Sequence, residues 1–298
     1  MNKNQRWPSV LKIYFLYAIY FVGAAIALLV AIGLWFNYSD RRALVAVNKE
    51  IWQYKDLATG VYDPAMVGGL PEGVQRYFSF MIAPGALLKT INRIEMVGEF
   101  GLGDVNKHNY FAFDGIQYNA APQGFTWSLK TKDNLMAMNG DDTFWAGEAW
   151  TKFWLLWVFP VARAGGISDY QRSGFGRVVT EMAAWSPVSL LPQFGAQWEQ
   201  LSPNLIRATV RAHGLEQAVD ITIDARGAPT AFLIQRWSNS NASQVFKLQP
   251  FGGVAHTYAT VDGITFVSEV EAGNHFGTPD YFPFFKAKVT KFEFQPTP

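Results

Sequence analysis

The amino-acid sequence predicts a mainly β protein of the α+β class, with an N-terminal transmembrane helix, an antiparallel sheet and one main inserted helix. Three observations predict this fold class. Residues 13–36 form an uninterrupted apolar run. Most of the chain after Pro84 alternates apolar and polar residues with the period of a β-strand. One segment between those strands, residues 168–185, has the spacing of a helix instead.

The apolar run from Ile13 to Phe36 has the length and composition of a membrane span. Its 24 residues include no charge and no proline, and a span needs roughly 20 apolar residues. Aromatic side chains such as Tyr14 and Trp35 stand at its two ends, as is typical at lipid headgroups. A cleaved signal peptide is the alternative, but apolar sequence continues well beyond Ala25. We therefore expect an uncleaved anchor.

Basic residues around the span predict its orientation. Three precede it and two follow it: Lys3, Arg6 and Lys12 against Arg41 and Arg42. This excess favours a cytoplasmic N-terminus for residues 1–12. The expected location is the inner (cytoplasmic) membrane, crossed once, with the C-terminal domain in the periplasm.

Composition argues against nucleic acid as a partner. Residues 1–42 hold five of the 25 basic residues and one of the 24 acidic residues, which leaves a net charge of −3 for the remainder. Phosphate binding needs clustered lysine and arginine. Charged residues make up only 16% of the chain and aromatic residues another 16%. Such a domain has an unusually aromatic core or an apolar binding surface.

Two helices are predicted before the sheet begins. Residues 39–58 continue helical spacing out of the membrane, and residues 71–82 form a shorter helix. The shorter helix places four apolar side chains on one face: Val74, Tyr77, Phe78 and Met81. We divide the chain into the span (13–36), a juxtamembrane helix and linker (37–69) and an antiparallel β domain (70–298).

The β domain is predicted to contain roughly nine or ten strands. Residues 94–102 and 124–132 alternate clearly, with Phe125, Trp127 and Leu129 on one face. Turn-forming pairs predict a turn or bulge at Asp114-Gly115 and a hairpin at Asn139-Gly140. Residues 150–162, the most apolar part of the domain, are too short for a second span and predict a buried or membrane-touching segment.

The inserted helix, residues 168–185, separates two sets of strands. Its predicted buried stripe holds Phe175, Val178, Val179 and Met182. Strands return after Gln197, with a bend predicted at 249–253 and a turn at Asp262-Gly263.

No catalytic or metal-binding motif is present. The four histidines occur singly, and the chain lacks both the Gly-x-Ser-x-Gly elbow and a phosphate-binding loop. We therefore expect no metal, no cofactor and no catalysis. Glu269 and His256 are the residues on which an alternative enzymatic reading depends.

Glu181 and Arg236 stand among apolar neighbours, so each needs a polar partner, and each is a candidate partner for the other. The many aromatic residues would line an apolar cavity if the sheet wraps around the inserted helix. The candidate ligand-binding residues are Trp127, Trp145, Glu181, Trp185, Arg236, Trp237, Tyr258 and Phe284.

A family resemblance rests on a set of short motifs, which are LPEGVQRYF, GEF, GFTW, EMAAWSPVSLLP, DARGAPTAF, QPFGG and YFPFF. Over about residues 70–294 the chain resembles an uncharacterised bacterial family of membrane-anchored domains of unknown function. Its layout is similar to that of the LolA-like lipoprotein carriers. The resemblance implies a curved antiparallel half-barrel with a hydrophobic cavity that binds lipid or acyl chains.

Three functional hypotheses follow. The first is a membrane-anchored periplasmic domain that binds a lipid or another hydrophobic ligand. The second is an assembly module of the cell envelope, whose partner is another membrane protein. The third is an enzyme that acts on a membrane-embedded substrate.

Overall fold

The computed structural model describes residues 9–132 and 137–296. Within these residues the chain forms three α-helices and one antiparallel sheet of 13 strands. The helices are α1 (Ser9–Gln53), α2 (Glu72–Met81) and α3 (Ser168–Trp185). The fold class predicted from the sequence, a mainly β half-barrel with one inserted helix, is confirmed.

The sheet consists of two meanders joined at its centre. The first meander holds β1 (Ile91–Gly103), β2 (His108–Ala120), β3 (Gly124–Thr131), β4 (Met138–Trp145), β5 (Glu148–Leu155) and β6 (Phe159–Gly165). The second holds β7 (Gln197–Ser202), β8 (Leu205–Ala212), β9 (Leu215–Ile223), β10 (Pro229–Ser238), β11 (Lys247–Val261), β12 (Ile264–Asn274) and β13 (Phe282–Phe294). β1 pairs with β13, so β6 and β7 are the two edges.

The sheet curves around α3, which connects its two edges. Arg177 of α3 contacts β4, while Ser173 of the same helix contacts β10. One helix can meet strands so far apart in the sheet only if the sheet is concave, and open sheets of more than about ten strands tend to curl. The predicted stripe of α3 is fully buried, as Phe175 and Met182 illustrate. The concave face and α3 therefore enclose the main core.

Helix α1 continues without a break from the apolar run to the sheet. Its first part is long and apolar enough to cross a membrane and is not buried in the protein. Its last turns pack on the convex face of β1–β4, where Asn48 accepts a hydrogen bond from Thr126 and Trp52 contacts Tyr118. Thr126, on the polar face of its strand, is therefore buried.

The β5–β6 hairpin is fastened to α1 next to the apolar run. Asp40 accepts hydrogen bonds from Trp154 (3.2 Å) and Arg163 (3.0 Å) and lies 3.3 Å from the ammonium group of Lys152. A side chain at Gly33 would collide with the main-chain oxygen of Val158 in the hairpin turn, so helix and turn are in direct contact. These contacts fix the position of the sheet along the axis of α1.

Several turn predictions were wrong, and the strand count was too low. Asn139-Gly140 lies inside β4 instead of forming a hairpin. The apolar segment 150–162 forms parts of two strands, β5 and β6, with a turn at residues 156–158. These additional strands bring the sheet to 13 strands over the described residues.

The other turns that were predicted wrongly fall on glycines within strands, at positions where neighbouring atoms leave no space for a side chain. Gly115 lies in the uninterrupted strand β2, where a Cβ would press on the ring of Phe113. Gly252 and Gly253 lie within β11, where a Cβ would collide with main-chain oxygens of β10 and β12. These glycines allow close packing and do not bend the chain.

Candidate ligand-binding site

A cavity of about 120 Å³ lies between α3 and the concave face of the sheet. Strands from both meanders contribute to its wall, which is mostly aromatic and aliphatic. The apolar lining residues are Phe100, Trp127, Ala184, Trp185, Phe232, Phe251, Val270, Ala272, Phe284 and Phe285. Five charged or hydroxyl side chains complete it: Asp142, Arg177, Thr180, Glu181 and Arg236.

Trp127 stands at the centre of an aromatic cluster. The centroid of its ring lies 5.6 Å from that of Phe285, 6.1 Å from that of Phe100 and 6.3 Å from that of Phe153. Alternation along β3 directs it to the concave side, opposite to Thr126. The indole Nε1 of Trp127 is buried and has no hydrogen-bond partner within the described chain. This leaves a hydrogen-bond donor unused in the cavity wall.

Arg177 holds two carboxylates from opposite sides. It donates to Asp142 Oδ2 at 2.9 Å and, through Nη2, to Glu181 Oε1 at 2.7 Å. The other oxygens of these carboxylates accept from Thr151 (2.6 Å) and Gln117 (2.6 Å). Burial acts to lower the pKa of Arg177, but the charges of Glu181 and Asp142 outweigh it and raise that pKa.

Arg236 has no such counter-ion. Its Nε donates to the hydroxyl oxygen of Ser173 at 3.2 Å, and its guanidinium lies 4.9 Å from the ring centroid of Phe251. Burial, followed by repulsion from Arg177, lowers the pKa of Arg236 to about 10, although the charges of Asp142 and Glu181 act in the opposite direction. The expectation that Glu181 and Arg236 pair with each other is wrong, because Glu181 binds Arg177 instead.

Five of the eight residues predicted from the sequence line this cavity: Trp127, Glu181, Trp185, Arg236 and Phe284. The structure places the other three elsewhere. Trp145 donates to Glu50 of α1 on the convex face. Trp237 donates to Asp169 at the start of α3, and the hydroxyl of Tyr258 donates to the main-chain oxygen of Pro229.

Sequence reasoning missed four polar residues of the site. Arg177, Asp142 and Thr180 line the cavity, and Gln117 donates to Glu181. The i, i+4 spacing of Arg177 and Glu181 along α3 is a signal that indicates their ion pair. Asp142 was missed because the segment that forms β4 was predicted to turn back on itself as a hairpin at Asn139-Gly140. No sequence pattern identifies Gln117 as a site residue, because its role depends on which face of β2 is concave.

The residues behind the enzymatic alternative lie away from the cavity. Glu269, Glu271 and His256 line a shallow surface groove beside Lys286 and Lys288. His256 Nε2 is 3.7 Å from Glu271, at a partly exposed position. In the described parts of the chain, no three acidic or histidine side chains cluster in a way that would hold a metal ion.

Comparison with solved structures gave similar folds at low sequence identity. They include a putative outer membrane lipoprotein-sorting protein domain from Vibrio parahaemolyticus, with 12% identity, a TM-score of 0.33 and coverage of 69% of this chain and 85% of that chain. A LolA superfamily protein from Nitrosomonas europaea shows 4% identity, a TM-score of 0.40 and coverage of 76% and 93%. A DUF1329 family protein from Desulfovibrio piger shows 9% identity, a TM-score of 0.31 and coverage of 69% and 86%.

The search of curated proteins gave no match. A family model described as a family of unknown function (DUF6544) matches residues 60–287, which include α2, α3 and nearly the whole sheet. Helix α1 lies outside the matched region. The chain therefore belongs to the family of unknown function DUF6544.

Proposed function

We propose that this protein is a single-pass inner-membrane protein whose periplasmic half-barrel binds a lipid or another hydrophobic ligand in its central cavity. The observation that carries the proposal is the aromatic-lined cavity between α3 and the concave sheet. Enclosed apolar cavities with a few polar groups are the usual binding sites for hydrophobic ligands. The domain division proposed is 1–12 cytoplasmic, 13–36 membrane, 37–69 juxtamembrane and 70–298 ligand-binding.

The size of the cavity limits what it holds in the observed conformation. A volume of about 120 Å³ is close to the roughly 150 Å³ of an apolar cavity that accepts benzene. Sites for drug-sized ligands measure about 300–1,000 Å³. The cavity as observed therefore accommodates one end of an amphiphile. A longer chain would enter by separation of α3 from the sheet, whose edges β6 and β7 are not paired with each other.

The attachment of the hairpin to α1 supports a position at the membrane surface. Val158 contacts Gly33, which lies about 4–5 Å inside the end of the predicted span at 1.5 Å per residue. Apolar side chains of the hairpin are 37–57% exposed to solvent in the isolated chain: Leu156, Trp157, Phe159 and Val161. In a bilayer these side chains would lie among the headgroups, where aromatic and apolar residues are favoured.

The test is to measure lipid that copurifies with the full chain. We would isolate the protein from membranes in nanodiscs, extract it with organic solvent and quantify lipid by mass spectrometry. Ala184→Phe fills the cavity with a ring, whereas Ala259→Phe places the same ring at an exposed position on β11. We expect about one additional lipid per protein in the wild type and in Ala259→Phe, relative to Ala184→Phe.

Equal lipid content in all three proteins would contradict the proposal. It would direct attention to the assembly hypothesis, in which the domain contacts another envelope protein. Crosslinking in cells would then identify that partner.

A further inference from the structure

Among the described side chains that line the cavity, the groups that lack a partner are hydrogen-bond donors. Gln117 Oε1 is an acceptor without a partner in the described chain, but Gln117 binds Glu181 and does not itself line the cavity. The Nη1 and Nη2 groups of Arg236 have no acceptor within the described chain, since Arg236 donates only through Nε. Trp127 Nε1 also lacks an acceptor there, and this atom is fully buried. The carboxylates of Asp142 and Glu181 are already occupied by Arg177, Thr151 and Gln117. A complementary ligand group must therefore supply acceptors.

The positive charge of Arg236 determines which kind of acceptor group on a ligand fits the cavity best. Arg236 is half-buried, and a cation that loses part of its hydration needs a counter-ion or several hydrogen bonds to compensate for that loss. Arg236 lies against Phe251 and within the same cavity as Arg177, and the described chain provides no carboxylate within ion-pair distance of it. A planar guanidinium binds carboxylate and phosphate through two parallel hydrogen bonds. An anionic group satisfies both the charge and the unused donors.

Arg177 is not an equivalent site, although it lies in the same cavity. It is held by two carboxylates at 2.9 and 2.7 Å. An anion approaching Arg177 would meet these two negative charges first. The arrangement leaves Arg236 as the cationic position open to a ligand.

We propose that the cavity binds an amphiphile with an anionic headgroup, carboxylate or phosphate, which docks on the free end of Arg236. The first carbons of its chain lie against the aromatic wall formed by Trp127, Phe251 and Phe284. This inference rests on the proposed function and specifies its ligand class. A fatty acid and a phospholipid or lysophospholipid share the required chemistry.

The experiment compares headgroups on a constant chain. The full chain is reconstituted in phosphatidylcholine nanodiscs with photoreactive twelve-carbon probes that end in a carboxylate, a phosphate or a hydroxyl. Labelling of peptides that line the cavity is measured against the mole fraction of probe in the bilayer. Charge-assisted hydrogen bonds predict half-maximal labelling by an anionic probe at about tenfold lower mole fraction than by the alcohol.

Two variants test the role of Arg236. Arg236→Gln keeps a polar side chain and removes the charge, so half-maximal labelling by the anionic probes should shift to about the mole fraction measured for the alcohol with the same variant. Arg172→Gln is the matched control, because Arg172 is exposed on α3 and stacks on Trp237 outside the cavity. Trp127→Phe removes the second free donor and should weaken anionic labelling by a smaller factor. The carboxylate and phosphate arms distinguish the two sources of the headgroup.

The outcomes separate this inference from the proposed function. Equal labelling of the cavity by all three probes, or an anionic preference that persists in Arg236→Gln, would overturn the headgroup assignment and leave hydrophobic binding in place. Absence of cavity labelling by every probe would overturn both. If Arg236→Gln does not fold, the wild-type comparison and Trp127→Phe still decide the question.

Discussion

Arg177 provides the sharpest test of the electrostatic arrangement in the cavity. Replacing it with methionine preserves much of the side-chain volume and removes the charge that Asp142 and Glu181 share. The three side chains are only 14%, 25% and 15% exposed, respectively. The variant therefore leaves two mostly buried carboxylates without a cation.

The expected cost follows from known buried ion pairs. Removing one partner of such a pair destabilises a protein by about 3–5 kcal/mol. For a domain of this size, 1 kcal/mol changes the melting temperature by about 2–4 °C. Arg177→Met should therefore lower the melting temperature by about 6–20 °C, whereas Arg172→Met on the exposed side of α3 should change it little.

Thermal unfolding of the full chain, followed by tryptophan fluorescence, measures this difference. Neutralising the carboxylates in the background of Arg177→Met, with Asp142→Asn and Glu181→Gln, should restore a large part of the lost stability, because no unpaired carboxylate remains. A drop of less than about 2 °C in Arg177→Met, equivalent to at most about 1 kcal/mol, would refute the reasoning. So would a triple variant less stable than Arg177→Met.

Three further predictions concern the convex face and α1. Burial raises the pKa of the Asp141 carboxyl to about 7, above its unfolded value of about 3.9. The contribution of Asp141 to the stability of the folded protein should therefore fall as pH rises from 4 to 7. Asp141→Asn should abolish that fall, as measured by thermal unfolding between pH 4 and 8. Burial acts to raise the pKa of Asp40, but Arg163 and Lys152 outweigh this effect and lower that pKa. The contribution of Asp40 to the free energy of unfolding is therefore present above about pH 4 and is lost as the pH falls below that value. Asp40→Asn should speed amide exchange in residues 154–163 about tenfold at pH 7, and unchanged exchange would contradict the role of Asp40. Gly33→Leu should lower the melting temperature because its side chain collides with the hairpin turn, whereas Gly23→Leu, with open space around it, should not.

Periodicity predicted the parts of the fold that depend on local sequence. Alternation in β8 placed Ile206, Ala208 and Val210 on one face, and all three are buried. Helical spacing placed Val74 and Tyr77 on the buried face of α2 in the same way. In both elements a single buried face repeats with the period of the backbone, so the pattern alone specifies it.

The arrangement of the site depends on contacts between distant segments. The alternation of apolar and polar residues did not indicate which face of a strand is concave. Trp127 and Trp145 were therefore equal candidates for the lining of the cavity. α1 covers the convex face and buries Trp154 there, which gives that face apolar residues as well. The approach of Asp142 in β4 to Arg177 in α3 results from curvature of the whole sheet, which no local pattern encodes.

If the protein has the function proposed above, helix α1 has one further consequence for how a ligand would be exchanged. Residues Phe36–Gln53 continue the apolar run as an unbroken helix, about 25 Å long at 1.5 Å per residue, and its last turns pack on the sheet. With the span in the bilayer, the domain diffuses in two dimensions and stays within a fixed distance of the surface. Under the proposed function, an acceptor of the ligand would have to come to the membrane, so transfer would depend on encounters at that surface and not on release of the protein.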